Sequence, residues 1–248
     1  MRMMKRCLAG LAMLSCVAFQ PAQANVVITG TRVVYSSDAR EVTIKLSNPG
    51  PEPALVQAWT DRGNPKSTPD TADAPFVIMP PIFRVDAGKS QTLRMTFTQD
   101  ALPQDRESLF WLNVLDVPPL PQKTDEAHNY LQIAFRSRLK IFYRPVGLPG
   151  TPDEAAGKIE WQLVKNASGK GYALRGHNGS GYHVSFNQTA LLWHGREYKS
   201  DGGMINPQAS ADFELKGLAS QPDGAVVVKF ETINDYGAPV GHQVELKL

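Results

Sequence analysis

Three histidines are the first residues in this sequence whose type and spacing could support chemistry. His177, His183 and His194 lie close together in the chain, and imidazole is a common zinc ligand. Their spacing is looser than that of zinc motifs, and successive residues of a strand point to opposite faces. We therefore interpret them as surface or partly buried side chains and expect no metal.

Other catalytic signatures are missing from the sequence. It contains no Gly-x-Ser-x-Gly turn, no His-Glu-x-x-His motif and no catalytic cysteine pair. A secreted hydrolase would need a nucleophile and a base brought together, and no such combination can be identified. We expect a protein that is not an enzyme and that needs no cofactor.

A row of cations is the second group of residues whose type and spacing could support chemistry. In the segment NYLQIAFRSRLKIFYRP, residues 129–145, apolar residues occupy one parity, while Arg136, Arg138, Lys140 and Arg144 occupy the other. A period of two predicts a β-strand. Periodicity alone favours burial of the apolar parity in the protein's own core. It also favours a solvated role for Lys140.

The first 24 residues have the pattern of a removable signal peptide. A basic start is followed by a short apolar stretch and by the small-residue site Ala22-Gln23-Ala24. Both cysteines, Cys7 and Cys16, lie in this segment, and its loss would change the net charge from +2 to −1. That balance gives no indication of a nucleic-acid partner or an anionic membrane surface. We predict an exported protein whose mature chain has no cysteine.

The rest of the chain predicts an all-β protein. Short β-type runs recur between turns rich in proline, glycine and asparagine, and helical periodicity does not recur. Residues 26–35 are expected to form one strand, and residues 130–143 another. The stretch 144–157 is rich in proline and glycine and separates two series of strands, so it is interpreted as an interdomain linker. The predicted divisions are 1–24, 25–147 and 148–248.

One long and irregular stretch, residues 102–119, resembles a known family. Asp105-Arg106-Glu107-Ser108 is followed there by Trp111, Asn113 and Val117-Pro118-Pro119. This combination closely resembles the signature of periplasmic pilus chaperones, the PapD-like family of the chaperone and usher pathway. Further similarity runs through residues 31–35, 47–59, 139–145 and 233–240. The resemblance implies two immunoglobulin-like β-sandwich domains in a boomerang arrangement.

The resemblance also implies a function. A chaperone of this family resides in the periplasm, where it binds, folds and caps pilus or fimbrial subunits and delivers them to an outer-membrane usher. It lends a strand to a subunit that lacks one, and the matching donor side chains here are Leu131, Ile133 and Phe135. The subunit-free form is expected to self-associate weakly through that edge. A secreted adhesion or binding module of immunoglobulin type is the alternative, but it would be expected to carry cysteines that the mature chain lacks.

Two sets of charged residues take their roles from the same resemblance. Arg32 and Lys140 occupy the positions of the cations that bind the C-terminal carboxylate of the subunit. Glu107 and Asp235 match the acidic members of a buried charge network near the domain junction, and Arg94 is assigned as its basic member.

The sequence departs from the family pattern in two segments. Residues 120–129 form a short polar connection, as in the subclass with short loops. Residues 177–186 replace a more proline-rich stretch, so the turn there and its contacts are expected to differ.

Overall fold

Two β-sandwiches follow one another along the chain. The computed structural model describes residues 26–120, 132–166 and 169–247. The first sandwich contains β1 Val27–Ile28, β2 Arg32–Ser36, β3 Val42–Ser47, β4 Ala54–Asp61, β5 Phe76–Met79, β6 Ile82–Val85, β7 Ser90–Phe97, β8 Ser108–Val117 and β9 Phe135–Arg144. The second contains β10 Glu160–Lys165, β11 Tyr172–Asn178, β12 Val184–Trp193, β13 Arg196–Ser200, β14 Gly203–Ile205, β15 Ala209–Glu214, β16 Ala225–Ile233 and β17 Pro239–Lys247.

The first sandwich packs a four-stranded sheet, in the order β1-β3-β7-β5, on a five-stranded sheet, in the order β2-β9-β8-β4-β6. Alternate side chains of both sheets meet in the core, where Leu46, Leu93, Leu112 and Ile141 are fully buried. Each such side chain contributes about 1.5–3 kcal/mol through burial. The sandwich therefore has a substantial core of its own.

In the second sandwich, a three-stranded sheet, β10-β11-β15, faces a five-stranded sheet in which β13-β12-β16-β17 are consecutive and β14 pairs with β12. Its core contains a cluster of aromatic rings around Trp161, which lies 5.7 Å from Phe186 and 5.1 Å from Phe230 between ring centroids. Two mainly antiparallel sheets packed face to face in each half form the immunoglobulin-like architecture that the sequence predicted. That prediction of the fold class is confirmed.

The single strand predicted over residues 26–35 is wrong. The strand is interrupted near Gly30, whose φ of 91° lies in a backbone region that residues with a side chain disfavour. As a result β1 pairs with β3 in one sheet, while β2 pairs with β9 in the other. The break thereby places Arg32 directly opposite Lys140 in the register of β2 and β9.

The segment between β9 and β10 contains a short helix, α1 Pro152–Gly157. Thr151 caps it, since its hydroxyl oxygen accepts a hydrogen bond of 3.2 Å from the Glu154 amide. The helix packs against the core of the second sandwich through its buried residues Ala155 and Ala156. Among the described residues, no helix has the length and apolar character needed to cross a membrane.

Candidate binding edge and domain junction

The outer edge of β9 is the first feature of the candidate site. β9 pairs with β8 along most of its length, but its parallel pairing with β2 begins only at Lys140. Within the described part of the chain, residues 135–139 therefore have no strand on their outer side. Ile133 and Phe135 are 51% and 53% exposed, whereas Leu139 is buried although it has the same parity. An open edge flanked by exposed apolar side chains can accept an additional strand.

A pair of cations lies where this open edge ends. Arg32 and Lys140 are directly opposite each other in the register of β2 and β9. Arg32 Nη1 donates to the Ile233 carbonyl at 2.8 Å, and Lys140 Nζ donates to Ser185 Oγ at 3.3 Å. Arg32 Nε is buried and, among the described residues, has no hydrogen-bond partner. The pair thus has unused donors at the boundary between the two sandwiches.

The charged forms of Arg32 and Lys140 are both disfavoured by their surroundings. Burial lowers the pKa of Lys140, and the neighbouring Arg32 cation lowers it further. Burial also lowers the pKa of Arg32, against the opposing effect of Asp235. An anion placed between the two side chains would relieve both the desolvation and the repulsion. A carboxylate has the charge and the oxygen geometry to do so.

A network of buried charges joins the two sandwiches next to this pair. Arg144 Nε donates to Glu107 at 2.7 Å, and its two terminal nitrogens donate to the Asp235 carboxylate at 2.7 and 2.9 Å. The second oxygen of Glu107 accepts from the His183 amide at 2.8 Å. Burial lowers the pKa of Arg144, but the bonds and charges of Asp235 and Glu107 outweigh it, and the pKa is raised. Arg144 is therefore a fixed cation.

The assignment of Arg94 to this network is wrong. Arg94 lies on β7 in the opposite sheet, where its side chain is 65% exposed and its Nε donates to Glu41 at 2.8 Å. The alternation of β7 turns this position toward solvent, away from the junction. Arg144, which in the sequence is only one of the cations on one parity of β9, is the basic member of this network. The signal available in the sequence was that Arg144 lies on the same face of β9 as Lys140.

The unusual segment 177–186 makes part of the junction. Asn178 is buried and donates to the Tyr182 carbonyl at 2.7 Å, which closes the turn between β11 and β12. The Gly181 carbonyl accepts from the Glu107 amide at 2.8 Å. A Cβ at Gly181 would lie 2.9 Å from the Asp105 carbonyl oxygen, so a larger residue could not approach this closely. Although segment 177–186 departs from the family pattern, it still forms a contact between the two domains.

Arginines and tryptophans form a cluster on the outward face of the five-stranded sheet. Arg136 stacks over Trp59 with its guanidinium carbon 4.8 Å from the ring centroid, and Arg138 stacks over Trp111 at 4.6 Å. Both arginines donate to the buried Asn113 side-chain oxygen, at 2.6 Å for Arg136 Nη2 and 3.0 Å for Arg138 Nε. These contacts hold β9 to β8 along the stretch whose other side is open.

Asp61 is the buried anion that pairs with this cluster. Arg138 Nη2 lies 2.8 Å from one Asp61 oxygen, and Asn113 Nδ2 donates to the other at 2.7 Å. Burial raises the pKa of Asp61, but hydrogen bonds from Asn113, Gly63, Ser67 and Arg138 outweigh it, so the pKa lies below its ordinary value. The sequence alone does not reveal these roles of Asp61 and Asn113, because only strand register brings them to Arg138.

The three histidines are not brought together. His177 contacts Ser210, His183 contacts Glu107, and His194 lies on the surface near Asp223. Among residues 26–120, 132–166 and 169–247, no group of three His, Cys, Asp or Glu side chains could hold a metal ion. Leu131, which is predicted to be a donor residue, and most of the short connection at 120–129 lie outside the described residues.

Comparison with known protein families covers both halves of the chain. A family model described as "Pili and flagellar-assembly chaperone, PapD N-terminal domain" matches residues 25–149. A second, described as "Pili assembly chaperone PapD, C-terminal domain", matches residues 154–244.

Individual relatives are similar over almost their full length. The chaperone protein FimB/FhaD of Bordetella pertussis is 42% identical over 241 residues, which cover 96% of this chain and 94% of the relative. The crystal structure of the YadV chaperone, a protein of Escherichia coli, matches with a TM-score of 0.77 at 39% identity and covers 90% of this chain and 100% of that one. The Salmonella enterica SafB chaperone in complex with SafA pilin matches with a TM-score of 0.72 at 25% identity, over 92% of this chain and 99% of that one.

Proposed function

The chain belongs to the PapD family of pilus-assembly chaperones, and on that premise we propose that it acts in the periplasm as a chaperone for pilus or fimbrial subunits. It binds and caps a subunit by donor-strand complementation and delivers it to an outer-membrane usher. The observation that carries the proposal is the open edge of β9, with exposed apolar side chains at one end and two cations at the other.

Strand donation accounts for the exposed apolar side chains. Ile133 and Phe135 together with Leu131, which lies outside the described residues, have the alternate spacing that fills successive pockets along an incomplete sandwich. Burial of three such side chains contributes roughly 5–9 kcal/mol before ordering costs, at about 1.5–3 kcal/mol each. The arginine–tryptophan cluster supports this role, because it fixes the inner side of β9 while the outer side remains available.

Carboxylate anchoring accounts for the cation pair. A C-terminal carboxylate of the bound subunit would accept hydrogen bonds from Arg32 and Lys140, and charge-assisted bonds of this kind contribute about 1.5–3 kcal/mol each. The pairing of β2 with β9 sets the anchor at one end of the open edge. The subunit strand would then be added in a single register.

The anchor can be tested with a peptide that has the sequence of a subunit's C-terminal strand, in free-acid and amidated forms. For the wild-type chaperone, the free acid should bind on the order of tenfold to several hundredfold more tightly, at about 1.4 kcal/mol per decade. Lys140→Ala and Arg32→Ala should lose most of that preference, as measured by calorimetry. Lys45→Ala, which removes an exposed lysine from the opposite sheet, should retain it.

Thermal stability measured on the same preparations separates anchoring from folding. Lys140→Ala should melt at the wild-type temperature or slightly above it, because it removes a buried cation from the neighbourhood of Arg32. A variant that melts much earlier and still prefers the free acid would contradict the anchoring role. Equal binding of acid and amide by the wild type would contradict it as well.

A further inference from the structure

A buried carboxylate that none of the above roles uses lies on the core-facing side of β8. Phe110, Leu112 and Val114 point into the core of the first sandwich, and the next residue of that parity is Asp116, which is only 5% exposed. An ionised carboxylate in such a position is costly unless it is paired and hydrogen-bonded. Asp116 therefore requires a partner.

The partners found among the described residues satisfy only one of its oxygens. Asp116 Oδ2 accepts a hydrogen bond of 3.1 Å from the Val26 amide. Asp116 Oδ1 is buried and has no hydrogen-bond partner among the described residues. Burial raises the pKa of Asp116, against the opposing effect of the Val26 amide. The carboxylate thus has an unused acceptor at the point where the described chain begins.

Removal of the predicted signal peptide would create a cation at this point. Hydrolysis of the bond between Ala24 and Asn25 leaves a carboxylate on Ala24 and an amine on Asn25, and the amine takes up a proton because its ordinary pKa is about 7.7–8.0. Three covalent bonds of about 1.3–1.5 Å link that nitrogen to the Val26 amide nitrogen, so the two stay within about 4 Å of each other. Val26 is packed against the core of the first sandwich. An ammonium on residue 25 would therefore lie within about 4 Å of an amide nitrogen that already donates to Asp116.

We infer that Asp116 is the binding site for the α-ammonium group that processing creates on Asn25, and that this ion pair completes the first sandwich only in the mature chain. Asp116 lies opposite Phe135 in the register of β8 and β9. The pair therefore consolidates the sheet beside the donor edge, and a precursor in which residue 25 is still in amide linkage lacks it. The inference rests on the export assumed in the proposed function, but not on subunit binding.

The identity of the first residue is the initial test. Mass spectrometry of the exported protein should give a chain that starts at Asn25. Any other start would overturn the inference, because an ammonium placed elsewhere would not be held by Val26.

The pairing itself can be measured with a double-mutant cycle. The mature chain and the same chain acetylated on its α-amino group are each unfolded in urea, with Asp116 intact and as Asp116→Asn. Acetylation should lower the folding equilibrium constant by about tenfold to a hundredfold, the effect of one charge-assisted hydrogen bond. In Asp116→Asn the effect of acetylation should fall below twofold. Asp86→Asn, which removes an exposed acid of the same domain, should retain the full effect.

An acetylation effect that is absent, or equal with Asp116 and with Asn at position 116, would overturn the inference. If Asp116→Asn does not fold, an NMR titration of the α-amino group in the otherwise unmodified mature chain decides the question. Its pKa should lie above the ordinary value of about 7.7–8.0, and an ordinary value would show that Asp116 is not its partner. Neither measurement involves a subunit, so failure here leaves the proposed chaperone function untouched.

Discussion

Arg144→Ala should destabilise the protein far more than the loss of a surface arginine such as Arg94, because it leaves a buried anion unpaired. Arg144 is the bridging cation between Glu107 and Asp235, and the Glu107 side chain is only 1% exposed. Removing one partner of a buried pair costs about 3–5 kcal/mol. With a urea m value of about 2 kcal/mol/M, the midpoint of unfolding should fall by roughly 1.5–2.5 M.

Urea unfolding followed by circular dichroism is the measurement, and Arg94→Ala is the matched control. Arg94 also pairs with a glutamate, but at the surface, where such pairs contribute little. Its midpoint should stay at the wild-type value. Replacing both Glu107 and Arg144 by alanine should recover part of the loss, since the deeply buried Glu107 carboxylate is then no longer left without its cation and only the more exposed Asp235 remains unpaired. Equal midpoints for Arg144→Ala and Arg94→Ala would refute the reasoning.

Three further outcomes follow from the geometry of the site. Because the pKa of Asp61 is lowered, its ionised form stabilises the fold above about pH 4, and this stability is lost as the pH falls through the folded-state pKa. The unfolding free energy of the wild type should therefore drop more steeply in acid than that of Asp61→Asn. Parallel curves for the two proteins would disprove this role of Asp61. Acetate, compared with chloride at equal ionic strength, should raise the melting temperature of the subunit-free protein, and Lys140→Ala should abolish the rise. Ile133→Glu and Phe135→Glu should weaken binding of a folded subunit and reduce self-association in sedimentation, whereas changing the exposed residue Val77 on β5 to Glu should affect neither.

The two parities of β9 were readable from the sequence alone, because a strand places neighbouring side chains on opposite faces. That pattern, with the turns between the other runs, was enough to predict an all-β fold. The resemblance of residues 102–119 added the family and the role of Glu107, and the similarity of segments 31–35, 139–145 and 233–240 added the roles expected of Arg32, Lys140 and Asp235. The fold class thus followed from local spacing, which the sequence displays directly, whereas the roles of the charged residues followed only from the family resemblance.

The partners of each charge were decided only by the tertiary structure. Arg94 and Arg144 are both arginines on strands, but β7 turns Arg94 toward solvent and Glu41, while the end of β9 brings Arg144 to the second domain. The break at Gly30, which moves the chain from one sheet to the other, sets Arg32 beside Lys140. Strand order and register join residues that are far apart in the chain, and periodicity along a single strand carries no information about its neighbours.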